Sequence, residues 1–273
     1  MTVYVCFPQG KAKALTLSYD DGIYDDFRLV EILNKNGIKA TFNINYGITI
    51  GDAGKGGRPR IPADQIMDLY KGHEIATHSY CHPTIARCPK TEPIMNIIKD
   101  RQGLEGLTGH IVRGHAYPNG SYSEEVKQIL RDCDIAYARV VETTGKFDLP
   151  ADPYEWKGTC HHKDPRLMDL AKEFVDNKKK QYLKLFYLWG HSYEFSQDDN
   201  WEVIEEFCEF MAGREDIWYA TNIEIIDYLA AAKQIRYSAD SSFAYNPTAT
   251  SVWVAVDNDN YYELKPGETT WFK

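Results

Sequence analysis

Two histidines lie four residues apart and are closed by a proline in His78-Ser79-Tyr80-Cys81-His82-Pro83, a tight turn able to aim both imidazoles at one point. Joined by one carboxylate, such a pair makes a metal site. Two His and one carboxylate suit zinc with a coordination position left open for water, or non-haem iron. Carboxylates stand side by side earlier in the chain, in Ser18-Tyr19-Asp20-Asp21-Gly22. That pair also fits a plainer role, one carboxylate capping a helix that begins near Tyr24 and the other solvated. Two more polar stretches follow apolar runs: Ala116-Tyr117-Pro118-Asn119-Gly120 and Gly190-His191-Ser192.

These stretches are far apart in the chain, so the fold must gather them. No long Gly/Ser or Pro-rich linker interrupts the first 235 residues, and an apolar strand followed by an amphipathic helix recurs in seven alternations. The first strand is expected over Ala14–Tyr19, with a helix that carries Phe27, Val30 and Leu33 on one face and stops at Asn36-Gly37. Ile38, Ala40, Phe42 and Ile44 alternate as the second strand, before a glycine-rich loop (Gly51 to Gly57) and a helix from Pro62 to Tyr70. The third strand covers about Glu74 to Thr77, and Thr91 caps a helix starting at Glu92-Pro93. His110 to Tyr117 is the fourth strand, and Ser123 with Glu124-Glu125 opens a helix to Asp132. Ile135 to Val141 is the fifth. After the long stretch Glu142 to Lys163, Asp164-Pro165 opens a helix to Asn177; Tyr182 to Trp189 is the sixth strand and Trp201 to Met211 its helix. Ile217 to Ala220 is the seventh, and Thr221 with Glu224 forms a capping box for a last helix reaching about Ile235.

Such alternation implies parallel strands joined by crossover helices, and seven units suit a closed or nearly closed (β/α) barrel over residues 1–236, with a doubly wound open sheet as the second choice. Reacting groups in a barrel sit after the carboxyl ends of the strands. All four polar stretches fall there, on one rim. Beyond Tyr237 the composition changes, and Ser251 to Val256 and Tyr261 to Leu264 flank Asp257-Asn258-Asp259-Asn260, a hairpin signal. Residues 237–273 are expected to form a small β appendage docked on the barrel, because an isolated hairpin is only marginally stable.

The chain has 273 residues, enough for one large domain, and its 43% hydrophobic and 26% charged residues are far from the signature of disorder. With 31 Lys and Arg against 40 Asp and Glu, the net charge of −9 disfavours phosphate backbones and anionic lipid, so neither nucleic acid nor a membrane surface is expected as partner. Met1 to Gly10 lacks the basic start and long apolar run of a signal peptide, and the chain reads as cytoplasmic. The six cysteines contain no C-x-x-C pair and are expected as reduced thiols.

The motif set resembles the polysaccharide deacetylases, the NodB-homology family of carbohydrate esterases, whose hallmarks are Thr-Phe-Asp-Asp-Gly, His-Ser/Thr-x-x-His, a Pro-Tyr-Gly turn and a late His. Here they read Ser18-Tyr19-Asp20-Asp21-Gly22, His78-Ser79-Tyr80-Cys81-His82, Pro118-Asn119-Gly120 and Leu188-Trp189-Gly190-His191, over roughly Lys11 to Ile235. The resemblance implies a distorted (β/α)7-type barrel and a metal-dependent hydrolase, with Zn2+ as the metal, that removes acetyl groups from N- or O-acetylated carbohydrate. Carried over residue by residue, it makes Asp21, His78 and His82 the metal ligands, Asp20 the general base and His191 the general acid. It also puts Tyr117, Pro118 and Asn119 beside the substrate, with a backbone N–H near Asn119 on the oxyanion.

Two departures from the family pattern stand out. Ala116 holds the position of an Arg and Asn119 that of a Tyr, so Asp20 must be oriented from elsewhere, and Arg113 is the substitute in reach. The family's fourth motif, an Asp followed by a Trp that supports the acid His, has no plain counterpart; Trp156 and His161 are the supports proposed from that region. Three other readings compete: a hydrolase of a cyclic imide or ureide on the same fold, a catalytically silent glycan-binding relative, and an iron oxygenase. The last leaves His191 without a role. Cys81, His73 and the aromatic series Trp253, Tyr261, Tyr262 and Trp271 read better as structural residues.

Overall fold

The computed structural model describes every residue except Lys55, Gly56 and Asp259, so part of the expected Gly51–Gly57 loop and one residue of the expected hairpin turn lie outside the described residues. The strands are β1 (Val3–Cys6), β2 (Lys13–Asp20), β3 (Ala40–Ile44), β4 (Glu74–Thr77), β5 (Gly114–Ala116), β6 (Tyr137–Thr143), β7 (Trp156–Gly158), β8 (Cys160–His161), β9 (Lys184–Gly190), β10 (Ile217–Tyr219), β11 (Arg236–Tyr237), β12 (Phe243–Tyr245), β13 (Val252–Val256), β14 (Asn260–Leu264) and β15 (Thr269–Trp271). The helices are α1 (Asp26–Lys35), α2 (Tyr46–Thr49), α3 (Ile66–Leu69), α4 (Thr91–Thr108), α5 (Glu124–Asp132), α6 (Leu167–Asp176), α7 (Tyr193–Gln197), α8 (Glu202–Met211) and α9 (Asn222–Ala232).

The central sheet runs β7-β6-β5-β4-β3-β2-β9-β8 with every pairing parallel. Its strands carry helices on the outside and side chains on the inside, which is why all eight positions of β2 are buried. The segment 156–161 closes the ring. Its first half pairs with β6 and its second with β9, and Thr159 joins them, its N–H donating to Tyr187 O at 2.8 Å and its hydroxyl oxygen accepting from Tyr187 N at 3.0 Å. The fold is thus the expected distorted (β/α)7-type barrel, with one exchange of parts. The seventh barrel strand, expected over Ile217 to Ala220, is β10, which pairs only with the first three residues of β2, and the closing position belongs to a segment read as loop.

Two of the expected helix caps act where the sequence puts them, whereas Thr91, expected as a cap, is the first residue of α4, whose N-cap is Lys90. Ser123 Oγ accepts from Val126 N at 3.2 Å to start α5, and Thr221 and Glu224 form the capping box of α9. At the far end, β13 and β14 form the hairpin, and β1 from the start of the chain adds a third antiparallel strand. Val252, Val254, Val256 and Leu264 pack in one cluster with Ala14, Tyr228 and Ala231 of the barrel, and Tyr228 OH accepts from Trp253 N at 2.9 Å. All six cysteines are free, and no helix among the described residues is long and apolar enough to cross a membrane.

Candidate active site

Every polar stretch picked from the sequence emerges from the carboxyl end of a barrel strand. Asp20 ends β2 and Asp21 follows it; His78 follows β4, Ala116 ends β5, and His191 follows β9. The turns that present them are tight. Asp21, Ser79 and His82 have φ of 83°, 62° and 55°, left-handed backbone that costs a side-chain-bearing residue about 1–3 kcal/mol and clusters at functional sites. Hydrogen bonds hold these turns: Asp21 N donates to Asn43 O at 2.8 Å, and His78 N to Ile44 O at 3.0 Å and to Asp100 Oδ2 at 2.9 Å.

Asp21 Oδ1 lies 3.9 Å from His78 Nε2 and 3.8 Å from His82 Nε2, and the three ligand atoms are within 4.8 Å of one another. A cation with bonds of about 2.0–2.2 Å spans such a gap. His78 is prepared for it. Its Nδ1–H donates to Ala116 O at 2.8 Å, which leaves the Nε2 lone pair pointing at the gap. Burial outweighs the nearby Asp20 and Asp21 and lowers its pKa to about 4, so the ring is neutral, as a ligand must be. The donor set therefore fits a divalent metal. Arg60 lies alongside, its Nη1 3.5 Å from Asp21 Oδ1 and donating to the Asp21 carbonyl.

Asp20 borders that trio, its Oδ2 3.9 Å from His78 Nε2. Its Oδ1 accepts from Asn43 Nδ2 at 2.8 Å and its Oδ2 from the Arg139 guanidinium, while His191 Nε2 lies 3.8 Å from Oδ2. Burial alone would raise its pKa, but Arg139, His78 and His191 together hold the carboxyl well below its ordinary range. Arg113, expected to orient Asp20, does not reach it and pairs instead with Asp227 on α9. The guanidinium arrives from the next strand: Ala116 on β5 stands in register with Arg139 on β6, and the small side chain of the one leaves room for the long one of the other. Arg139 also packs its guanidinium 4.6 Å from the Trp189 ring centre.

Glu194, three residues past His191 on α7, accepts at Oε2 from His191 Nδ1 at 3.2 Å. Burial lowers the pKa of His191, yet Glu194, Asp20 and Asp21 more than offset it and raise the imidazole above its ordinary value. His161, offered as a support, is in this group, with Nε2 3.2 Å from Glu194 Oε2. Trp156 is not. It is buried between Tyr137 and Tyr187 at ring distances of 5.4 and 4.9 Å, so it fills the core beneath the rim. Tyr117 is also buried, its OH donating to Tyr154 O at 2.9 Å, and Pro118-Asn119-Gly120 forms a single turn in which Asn119 has φ 57° and its Nδ2 donates to Thr84 Oγ1 at 3.3 Å.

Arg139, Asn43, Glu194 and Asp100 are the residues that sequence reading passed over. Asp100, wholly buried on α4, accepts from Tyr46 N at 2.6 Å and His78 N at 2.9 Å. Its replacement by Ala takes the acceptor from Tyr46 N, at about 1–3 kcal/mol, and leaves His78 N with Ile44 O alone. Urea unfolding of Asp100→Ala should show that loss, and metal affinity should fall with it because the His78 turn is released.

Residues 8–138, just under half of the chain, match the family model described as polysaccharide deacetylase. Among curated proteins it is similar to peptidoglycan-N-acetylglucosamine deacetylase PgdA of Listeria monocytogenes, 24% identical over 124 residues, which are 44% of this chain and 25% of the relative. The match thus spans a quarter of that protein's length. Among solved structures, a Mycobacterium smegmatis protein whose polysaccharide deacetylase name is provisional aligns at TM-score 0.62 with 16% identity over 84% of this chain and 94% of its own. A family 4 carbohydrate esterase from Streptomyces lividans aligns at 0.50 with 16% identity over 77% and 93%. A pseudoenzyme of the same esterase family from Bacillus anthracis aligns at 0.50 with 21% identity over 82% and 68%. These structures share the fold.

Proposed function

We propose that this chain is a metal-dependent hydrolase that removes acetyl groups from N- or O-acetylated carbohydrate. Because one fold neighbour is a pseudoenzyme, the fold alone does not carry this reading. The observation that does is the gathering, on one rim, of Asp21, His78 and His82 beside an ionised Asp20 and a His191 of raised pKa. Asp21, His78 and His82 would hold the metal, and a cation such as Zn2+ supplies the Lewis acidity that makes water nucleophilic near neutral pH. Asp20, fixed by Asn43 and Arg139, takes the proton of the attacking water at Oδ2. His191 gives a proton from Nε2 to the departing amine or alkoxide. The turn at Tyr117 to Asn119 is the wall nearest the acetyl group in this reading.

The test is acetate release from acetylated chitin-type oligosaccharides, peptidoglycan fragments and O-acetylated xylan by the purified chain. Chelation should abolish release and added Zn2+ restore it; turnover that is indifferent to chelators, or that appears only with cyclic imides or ureides, refutes the proposal. The acid makes a second prediction. Glu194 keeps His191 protonated to higher pH than an ordinary imidazole, and the protonated form is lost as pH rises through that pKa. In Glu194→Gln the alkaline limb of the kcat/KM profile should therefore move to lower pH. A limb that stays in place argues against His191 as the acid.

A further inference from the structure

Three imidazoles converge on one carboxylate oxygen at the rim: His161 Nε2 at 3.2 Å, His162 Nε2 at 3.3 Å and His191 Nδ1 at 3.2 Å from Glu194 Oε2. The backbone N–H of His191 approaches the same oxygen at 3.2 Å, and Lys163 Nζ takes Oε1 at 3.2 Å. His161, His162 and Glu194 present atoms within 4.8 Å of one another, the spacing of a second metal cage. One contact decides between a cation and a proton. The backbone N–H of Lys163 donates to His161 Nδ1 at 3.1 Å, so Nδ1 is an acceptor and the neutral ring carries its proton on Nε2. A protonated Nε2 has no lone pair for a metal and meets Glu194 as a donor.

We infer that His161 is a positioning residue for the acid: the Lys163 backbone fixes its Nε2–H tautomer, that N–H donates to Glu194, and Glu194 orients His191. The inference rests on the reading of His191 as general acid. His162 contributes by packing. Its ring lies between Tyr19 and Phe195, at 5.8 and 4.1 Å, and among the described residues neither of its nitrogens makes a hydrogen bond of good geometry. Gly190 is what seats it, since a Cβ there would come within 2.1 Å of His162 Nδ1. The groups that face His191 are Asp20 and Asp21 after β2, Tyr193 and Glu194 on α7, and His161 and His162 at β8.

A donor removed from Oε2 leaves Glu194 more basic towards the remaining ones. His161→Phe, which keeps a ring against Trp189 but cannot donate, should therefore raise the pKa of His191, whereas Glu194→Gln should lower it. A purely structural role, in which loss of His161 lets the turn collapse and Glu194 swing away, would lower it in both. The measurement is side-chain NMR of the 15N-labelled full chain across pH. In the unaltered protein His161 should show the Nε2–H tautomer, and the two variants should shift His191 in opposite directions. An Nδ1–H tautomer for His161, or a downward or absent shift in His161→Phe, overturns the inference; if that variant fails to fold, the tautomer of the unaltered chain decides alone. Opposite shifts in a chain that releases no acetate would uphold the hydrogen-bond chain and count against the hydrolase reading only.

Discussion

Asp20→Asn is expected to lower kcat for acetate release by about 10²- to 10⁴-fold, the usual weight of a positioned acid or base. An Asn side chain has nearly the size of Asp, but its amide cannot satisfy this seat in either orientation. One carboxylate oxygen now accepts from Asn43 Nδ2 and the other from Arg139, so an NH2 group must confront a donor whichever way it is turned. The proton acceptor vanishes while Asp21, His78 and His82 stay in place. Metal content should therefore remain near that of the parent chain, which separates loss of the base from loss of the metal. A variant that keeps kcat within tenfold of the parent would remove Asp20 from the chemistry.

The rim was legible because each of its motifs is adjacent in sequence to the strand end that presents it. Asp20-Asp21 follows an apolar strand, and His78 and His82 share one turn, so strand periodicity and local spacing were enough. Arg139 was not legible. It sits inside Ala138-Arg139-Val140, where a lone cation in an apolar strand has no local partner, and the carboxylate it meets is 119 residues away. Only the pairing of β5 with β6 brings the two together, and register is a tertiary property. Arg113 looked suitable by distance along the chain, yet it lies before β5 begins and turns to Asp227 on α9. The closing segment Trp156 to His161 escaped for another reason. Its two strands are three and two residues long with a register shift against β6, too short for any period to show. The carboxylate partner of the acid was hidden by proximity: Glu194 is three residues from His191, and such a pair reads as the first turn of a short helix until the hydrogen bond is seen.

Since Arg139, in register with the small Ala116, reaches Asp20, the ion pair of Asp20 and Arg139 can be weighed directly. Asp20 is 3% exposed and Arg139 1%, so neither charge has water to fall back on. Removing one partner of a buried pair leaves an uncompensated charge and costs about 3–5 kcal/mol, whereas replacing both by apolar groups is often neutral or stabilising. Arg139→Met should thus lose about 3–5 kcal/mol in urea unfolding and most of its activity, because Asp20 loses both orientation and the charge that keeps it ionised. Asp20→Leu combined with Arg139→Met should recover most of that stability with no activity at all. The non-additivity of the cycle is the observable that identifies coupling between the two side chains. If the double variant is as unstable as the sum of the single ones, the guanidinium supports the barrel through its packing on Trp189, and the orientation of Asp20 falls to Asn43.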